Sequence, residues 1–206
     1  MGRPPSFSRE GLQRAALQLV DDGGMDALSM RALARALKTG PMTLYNHVRD
    51  RADLELLLVD AVMDELRMNP PADEPWQSAV EHLALAMWRA IRAHPHVVPL
   101  IVTQKSRAPQ TLDFAEALLA ALARGGLRGR ALRRAFRAVS AFVAGFALAE
   151  LHGPFHNDTV AAGNDSARYP HLRELARSHG DPSVELRAGI AALLARPGRA
   201  RPTGRR

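Results

Sequence analysis

The chain has 206 residues, 47% of them hydrophobic, and a net charge of +7. That length suits one or two compact domains with a full apolar core. It has no cysteine, which excludes disulfides, thiol catalysis and cysteine-ligated zinc, and agrees with a reducing cytosol.

The charge is unevenly spread. Residues 1–51 hold 8 Lys/Arg against 5 Asp/Glu, residues 52–123 hold 5 against 10, residues 124–137 hold 6 against none, and residues 196–206 hold 5 against none. Basic ends suit a polyanion, whereas the acidic middle does not. No apolar segment follows a basic start, so no secretory signal is read. The longest apolar run, Ala138–Leu151, is interrupted by Ser140 and Glu150 and falls short of the roughly 20 apolar residues that a span requires. A cytoplasmic protein without a membrane partner is expected.

Taken in chain order, the periodicity is helical almost throughout, and no β-branched alternation marks a strand. A first helix starts with Ser8 as N-cap and stops at Gly23-Gly24, with Leu12, Ala16, Leu19 and Val20 inward. A second starts after Ser29 and turns Met30, Leu33, Ala34 and Leu37 inward. A third covers Pro41–Val48, and a fourth runs from Asp50 to Arg67 with Leu54, Leu57, Leu58, Ala61 and Val62 inward. Asn69-Pro70-Pro71 then breaks the chain. This divides a head, residues 1–66, from a second helical domain, residues 67–196. In the second domain helices are expected over Pro75–His94, Val97–Gln104, Pro109–Arg124, Gly129–His152, Tyr169–Ser178 and Pro182–Arg196. Residues 153–167 read as a loop, and the Pro/Gly/Arg-rich residues 197–206 as a disordered basic tail. The fold class is all-α.

The most informative segment is SMRALARALKTGPMTLYNHVRDR, residues 29–51. Two short helices joined by a tight turn make a helix-turn-helix, whose second helix enters the DNA major groove. Gly40 sits where the second helix needs an N-cap, and Pro41 takes the first helical position, where a missing N–H costs nothing. The exposed helix N-terminus then offers its N–H groups to a phosphate. Leu44 and Val48 lie four apart and turn inward, which pushes Pro41, Met42, Tyr45 and Asn46 toward the groove. Asn46 suits a bidentate contact to adenine, and Met42 and the Thr43 methyl suit a thymine methyl. Tyr45, His47 and Arg51 suit phosphates, and Arg31 suits a guanine edge or a phosphate.

On these residues, 8–66 resemble the DNA-binding domain of the TetR family of bacterial repressors. The resemblance rests on SMRALARAL, the short turn, TLYNHV with Leu44, Tyr45 and His47, and the corner Arg49-Asp50-Arg51. HPHVVPLIV and PQTLDFAEALLAALARGGL are similar to the family's helical ligand-binding and dimerisation domain. Two positions depart from the pattern. Lys38 stands where the family has Gly, which implies a positive φ at a side-chain-bearing residue, and Gly40 stands where it often has Ser.

The later helices are apolar on more than one side. Along Gly129–His152, Leu132, Phe136, Val139, Val143 and Ala147 make one stripe, and Ala135, Ala138, Phe142, Gly145 and Ala149 a second. Such a helix is either deeply buried or shared between a core and a partner, and the small-residue side suits the second. The final helix, with Val184, Ala188, Ala191, Leu194 and Ala195, joins it in the four-helix dimer interface that the resemblance implies. A homodimer presents two recognition helices about 34–36 Å apart and so reads a palindromic operator on double-stranded DNA. The resemblance also implies a small-molecule effector, expected to be hydrophobic, in a pocket lined by Trp88, Ile101, Gln104, Phe114, Leu118, Ser140, Phe146 and His152.

His152 and His156 lie across Gly153-Pro154 rather than on one helix face, so no metal site is expected. No P-loop, G-x-S-x-G or catalytic carboxylate pair is present, and no cofactor and no enzymatic activity are expected. The reading is an effector-released repressor. Its alternatives are the same DNA-binding dimer controlled by a protein partner or without an effector, and a ligand-binding helical protein with no DNA function.

Overall fold

The computed structural model describes residues 8–66, 68, 73–103, 108–152, 169–177 and 180–195. Among these residues the helices are α1 (Arg9–Gly23), α2 (Met30–Ala36), α3 (Pro41–Tyr45), α4 (Arg51–Asp64), α5 (Trp76–Ala93), α6 (Val98–Thr103), α7 (Pro109–Arg124), α8 (Gly129–His152), α9 (Pro170–Arg177) and α10 (Pro182–Leu194). No strand occurs among the described residues. The break at Asn69-Pro70-Pro71, the loop 153–167 and the tail 197–206 lie outside them.

The helix starts follow from side-chain capping, which satisfies N–H groups that have no intrahelical partner. Ser8 Oγ accepts from Gly11 N at 3.0 Å, Ser29 Oγ from Ala32 N at 3.2 Å, and Asp50 Oδ1 from Asp53 N at 2.9 Å. Two ends fall short of the sequence expectation. α3 stops at Tyr45 rather than Val48, because His47 N and Val48 N both turn back onto Leu44 O, at 2.8 and 2.9 Å. That tightening brings Asp50 into extended backbone as the next cap. α4 stops at Asp64 rather than Arg67, where Glu65 and Leu66 close the last turn on Val62 and Met63. A single 3-10 turn over Met25–Ala27 carries the chain from α1 to α2.

α2 ends in a left-handed cap of unusual composition. Thr39 N donates to Ala34 O at 3.0 Å and Lys38 N to Arg35 O at 3.1 Å, the paired bonds of a Schellman motif. The left-handed position is Lys38, at φ 51°, as the sequence implies.

α1, α2 and α3 pack around Leu12, Ala16, Leu33, Leu44 and Val48, with Leu54 of α4 closing the head. α5, α7, α8 and α10 form the second layer, and one buried cluster runs from Leu12 to Ile190. α10 docks tightly on α8, since the Phe142 ring lies directly against Gly189, where any β-carbon would clash. On α8 the stripe of Val139, Val143 and Ala147 is buried, while Ala138, Gly145 and Ala149 of the second stripe are exposed.

Replacing Lys38 with Gly relieves a left-handed strain of about 1–2 kcal/mol and adds about 0.5–1 kcal/mol of unfolded-chain entropy. K38G is therefore expected to raise the unfolding free energy by about 0.5 kcal/mol in urea titration, while K38V, β-branched at the same φ, lowers it.

Candidate DNA-binding face and internal cavity

α3 presents a continuous exposed surface. Pro41, Met42, Thr43, Tyr45, Asn46 and His47 are all exposed. Met42 is 78% accessible and Tyr45 50%, an exposure that core packing does not explain. Leu44 and Val48 are buried, at 0% and 1%, and they fix which side faces out. Gly40 caps α3 without a side-chain hydrogen bond, and open space surrounds its α-carbon, so backbone can approach a phosphate there. Arg31, in the first turn of α2, is exposed and has no hydrogen-bond or ion-pair partner among the described residues. Arg35 and Lys38 add positive charge from the same helix and its cap.

Arg51 departs from the phosphate role read from the sequence. Its guanidinium donates to Leu28 O at 2.8 Å and Met25 O at 3.3 Å, and pairs with Glu55 at 3.2 Å. It therefore clamps the start of α4 to Leu28 and to the Met25–Ala27 turn, whose Met25 carbonyl also accepts from Leu28 N at 3.4 Å. Arg49, beside it, is held by Asp53 through its Nε at 2.8 Å and its Nη2 at 3.1 Å. The Arg49 guanidinium keeps the Asp53 carboxyl below its ordinary range.

α4 connects this face to the second domain by two rows of side chains. Asp60 and Asp64 point to α1, where Asp60 meets Arg9 at 2.7 Å and Asp64 accepts from Gln13 at 2.9 Å. Burial raises the Asp64 carboxyl above its ordinary value against the opposing Gln13 bond. Val59 and Met63, each one residue earlier, line an internal cavity instead. Next to the end of α4, His94 joins three elements. Its Nδ1 lies 2.9 Å from Asp21 of α1, and its Nε2 lies 2.9 Å from Glu65 after α4. The sequence marks His94-Pro95-His96 only as a helix break, since nothing local reveals partners 73 and 29 residues away. Burial pushes its pKa down, but the two carboxylates outweigh that and leave it above 6.5.

The cavity, of about 530 Å³, lies between α4, α5, α6, α7 and α8. Of the expected lining, Ile101, Phe114, Leu118 and Ser140 are present. Trp88 and Phe146 are elsewhere. The Trp88 indole N–H donates to Glu150 at 2.8 Å, while Arg92 stacks 5.2 Å over the ring and pairs with the same carboxylate at 3.2 Å. Trp88 thus fastens α5 to α8. Phe146 packs against Phe142, with centroids 5.8 Å apart, on the side of α8 that meets α10. Gln104 and the side chain of His152 lie outside the described residues. Val59, Met63, Met87 and Arg137 join the lining unforeseen. The first three look like ordinary core in sequence, and Arg137 is hidden in an arginine-rich run.

This arrangement is that of an all-helical DNA-binding regulator with a ligand-sized cavity behind its reading head. Residues 12–56 match the family model for bacterial regulatory proteins of the tetR family, and residues 69–181 that for the tetracyclin repressor-like C-terminal domain. A transcriptional regulator of Saccharopolyspora erythraea is 32% identical over 82% of this chain and 70% of its own length. A TetR regulator of Streptomyces coelicolor superposes with a TM-score of 0.76 at 32% identity, covering 91% of this chain and 96% of its own. ActR of the same organism, solved with actinorhodin, superposes with a TM-score of 0.73 at 27% identity over 92% and 98%. The chain belongs to the TetR family of DNA-binding transcriptional regulators, which are not enzymes. No helix among the described residues is long and apolar enough to cross a membrane.

Two predictions follow the geometry of this region. R51A should lower the unfolding free energy by about 0.5–1.5 kcal/mol, because the part-buried Leu28 carbonyl loses its charged donor. A DNA-contact role alone would leave stability unchanged. The His94 ties stabilise the protonated ring, so their contribution is complete below about pH 6.5 and is lost as pH rises through the higher folded value. Unfolding free energies over roughly pH 6–9 should therefore fall more steeply for the natural chain than for H94Q.

Proposed function

We propose that the chain is a homodimeric cytoplasmic repressor that a small, largely apolar effector releases from a palindromic operator. On this reading α3 of each subunit enters one major groove. Asn46 and Met42 read bases, while Gly40, Pro41, Tyr45, His47 and Arg31 fix register on the backbone. Thr43 presents its methyl group to the groove. Arg51 serves the same surface indirectly, by holding α4 against the head.

Dimerisation is supported by the outer side of α8 and α10. Ala138, Gly145 and Ala149 are exposed on one helix, and Val184, Ala188 and Ala191 on the other. Val184 is 56% accessible and Leu193 44%. Small residues on both helices permit close approach of a second copy of the same surface.

The observation that carries the reading is the double duty of α4. One row, Val59 and Met63, borders the cavity, and the next, Asp60 and Asp64, holds α1 of the head. A ligand that shifts the first row displaces the second, and with it the angle of the head. Weakening operator affinity 100-fold requires the effector to favour the displaced state by about 2.7 kcal/mol.

The test is anisotropy titration of labelled DNA from the region flanking the chain's own gene. N46A should relax discrimination at one base pair per half-site by about 1–3 kcal/mol. A191E, on the exposed side of α10, should sediment as a monomer and lose operator binding. Unchanged sedimentation in A191E, or unchanged specificity in N46A, would count against the reading.

A further inference from the structure

The cavity wall has a polarity that narrows the class of ligand. Most of its lining is aliphatic or aromatic, with the hydroxyls of Thr111 and Ser140 as its neutral polar groups. Among the described lining residues Arg137 alone carries a charge, and no Asp or Glu is among them. Arg137 also has no hydrogen-bond or ion-pair partner among the described residues. It is exposed, so it stands where the cavity meets solvent rather than deep in the wall.

Helix geometry makes this a directed feature. Arg137, Ser140, Ala141 and Ala144 follow one another at helical spacing on a single side of α8, and all four line the cavity. The row is polar at its first two members and small and apolar at the last two. Opposite it, Met87 and Ile91 of α5 and Phe114 and Leu118 of α7 supply an apolar bed. Thr111 lies in the first turn of α7, so a helix N-terminus, which also favours negative charge, borders the same space.

Resting on the effector reading above, we infer that the cavity selects a ligand with an apolar body and one anionic end, held by the Arg137 guanidinium beside the Ser140 hydroxyl. A carboxylate, sulfonate or ionised phenol at that end receives charge-assisted hydrogen bonds from a planar donor. A cationic ligand finds no lining carboxylate and meets a like charge. Selectivity for anions over neutral molecules of the same shape is thus written into one side chain, while affinity for the body comes from the buried apolar surface.

The test compares two fluorescent probes with nearly the same rings, anilinonaphthalene sulfonate and uncharged phenylnaphthylamine, on the full chain. The sulfonate should bind about ten-fold tighter, a difference of ~1.4 kcal/mol. R137Q should bring the two dissociation constants together by weakening the sulfonate, and R137E should favour the neutral probe. Because Arg137 is exposed, neither variant threatens the fold. A144F, which fills the row beside Ser140, should weaken both probes and so locate them in the cavity. A ratio that survives R137Q, or sulfonate binding untouched by A144F, overturns the anion assignment while leaving the effector cavity to the neutral probe. Failure of the natural chain to bind either probe overturns the assignment and the cavity reading together.

Discussion

The structure depends on a one-residue offset along α4. Val59 and Met63 are four apart, and so are Asp60 and Asp64, which places two rows on adjacent sides of one helix about 100° apart. The apolar row faces the cavity and the acidic row faces α1. Because a helix is stiff over 14 residues, the two rows cannot move independently. On the proposed reading, a displacement at the cavity wall reaches Arg9 and Gln13 through this one helix.

The joint is built from contacts of graded strength. Arg9 is 65% accessible at its side chain, and an ion pair so exposed contributes about 0–1 kcal/mol. His94 is different: it is buried among helices and bonded at both ring nitrogens. Removing one partner there leaves polar groups unsatisfied, which costs more than the bond itself contributes. The exposed Arg9–Asp60 tie is the weaker one, and the His94 junction holds α1, the end of α4 and α5 together. That combination suits a pivot better than either a uniformly rigid or a uniformly loose interface.

Local chemistry was legible in the sequence, and distant partnerships were not. Ser8, Ser29 and Asp50 announce helix starts because a cap needs only the next three residues. Leu44 and Val48 reveal the inward side of α3 through spacing alone, and the left-handed Lys38 follows from the family resemblance, which has Gly at that place. The Arg51 contacts were not legible because its acceptors are backbone carbonyls 23 and 26 residues back, which no side-chain pattern records. Trp88 was misjudged for a similar reason: an aromatic on an apolar stripe looks like pocket or core until Glu150, 62 residues on, claims its N–H. Half of the expected lining, Ile101, Phe114, Leu118 and Ser140, borders the cavity because these residues sit on the helices that enclose it. Val59 and Met63 were missed because a cavity-facing residue and a core residue have the same composition.

On the proposed reading, the cavity's chemistry also accounts for the polar junction. An apolar wall binds an apolar body with little directional preference, so burial alone would stabilise several placements of α4 about equally. A two-state switch needs discrete alternatives, which hydrogen bonds provide because they are made or broken over a few tenths of an ångström. The Asp60–Arg9 and Asp64–Gln13 pairs define one such state, and the offset with Val59 and Met63 ties it to the shape of the cavity. Hydrophobic burial thus supplies the energy of ligand binding. On the proposed reading, the ladder to α1 converts that energy into a choice between two orientations of the head.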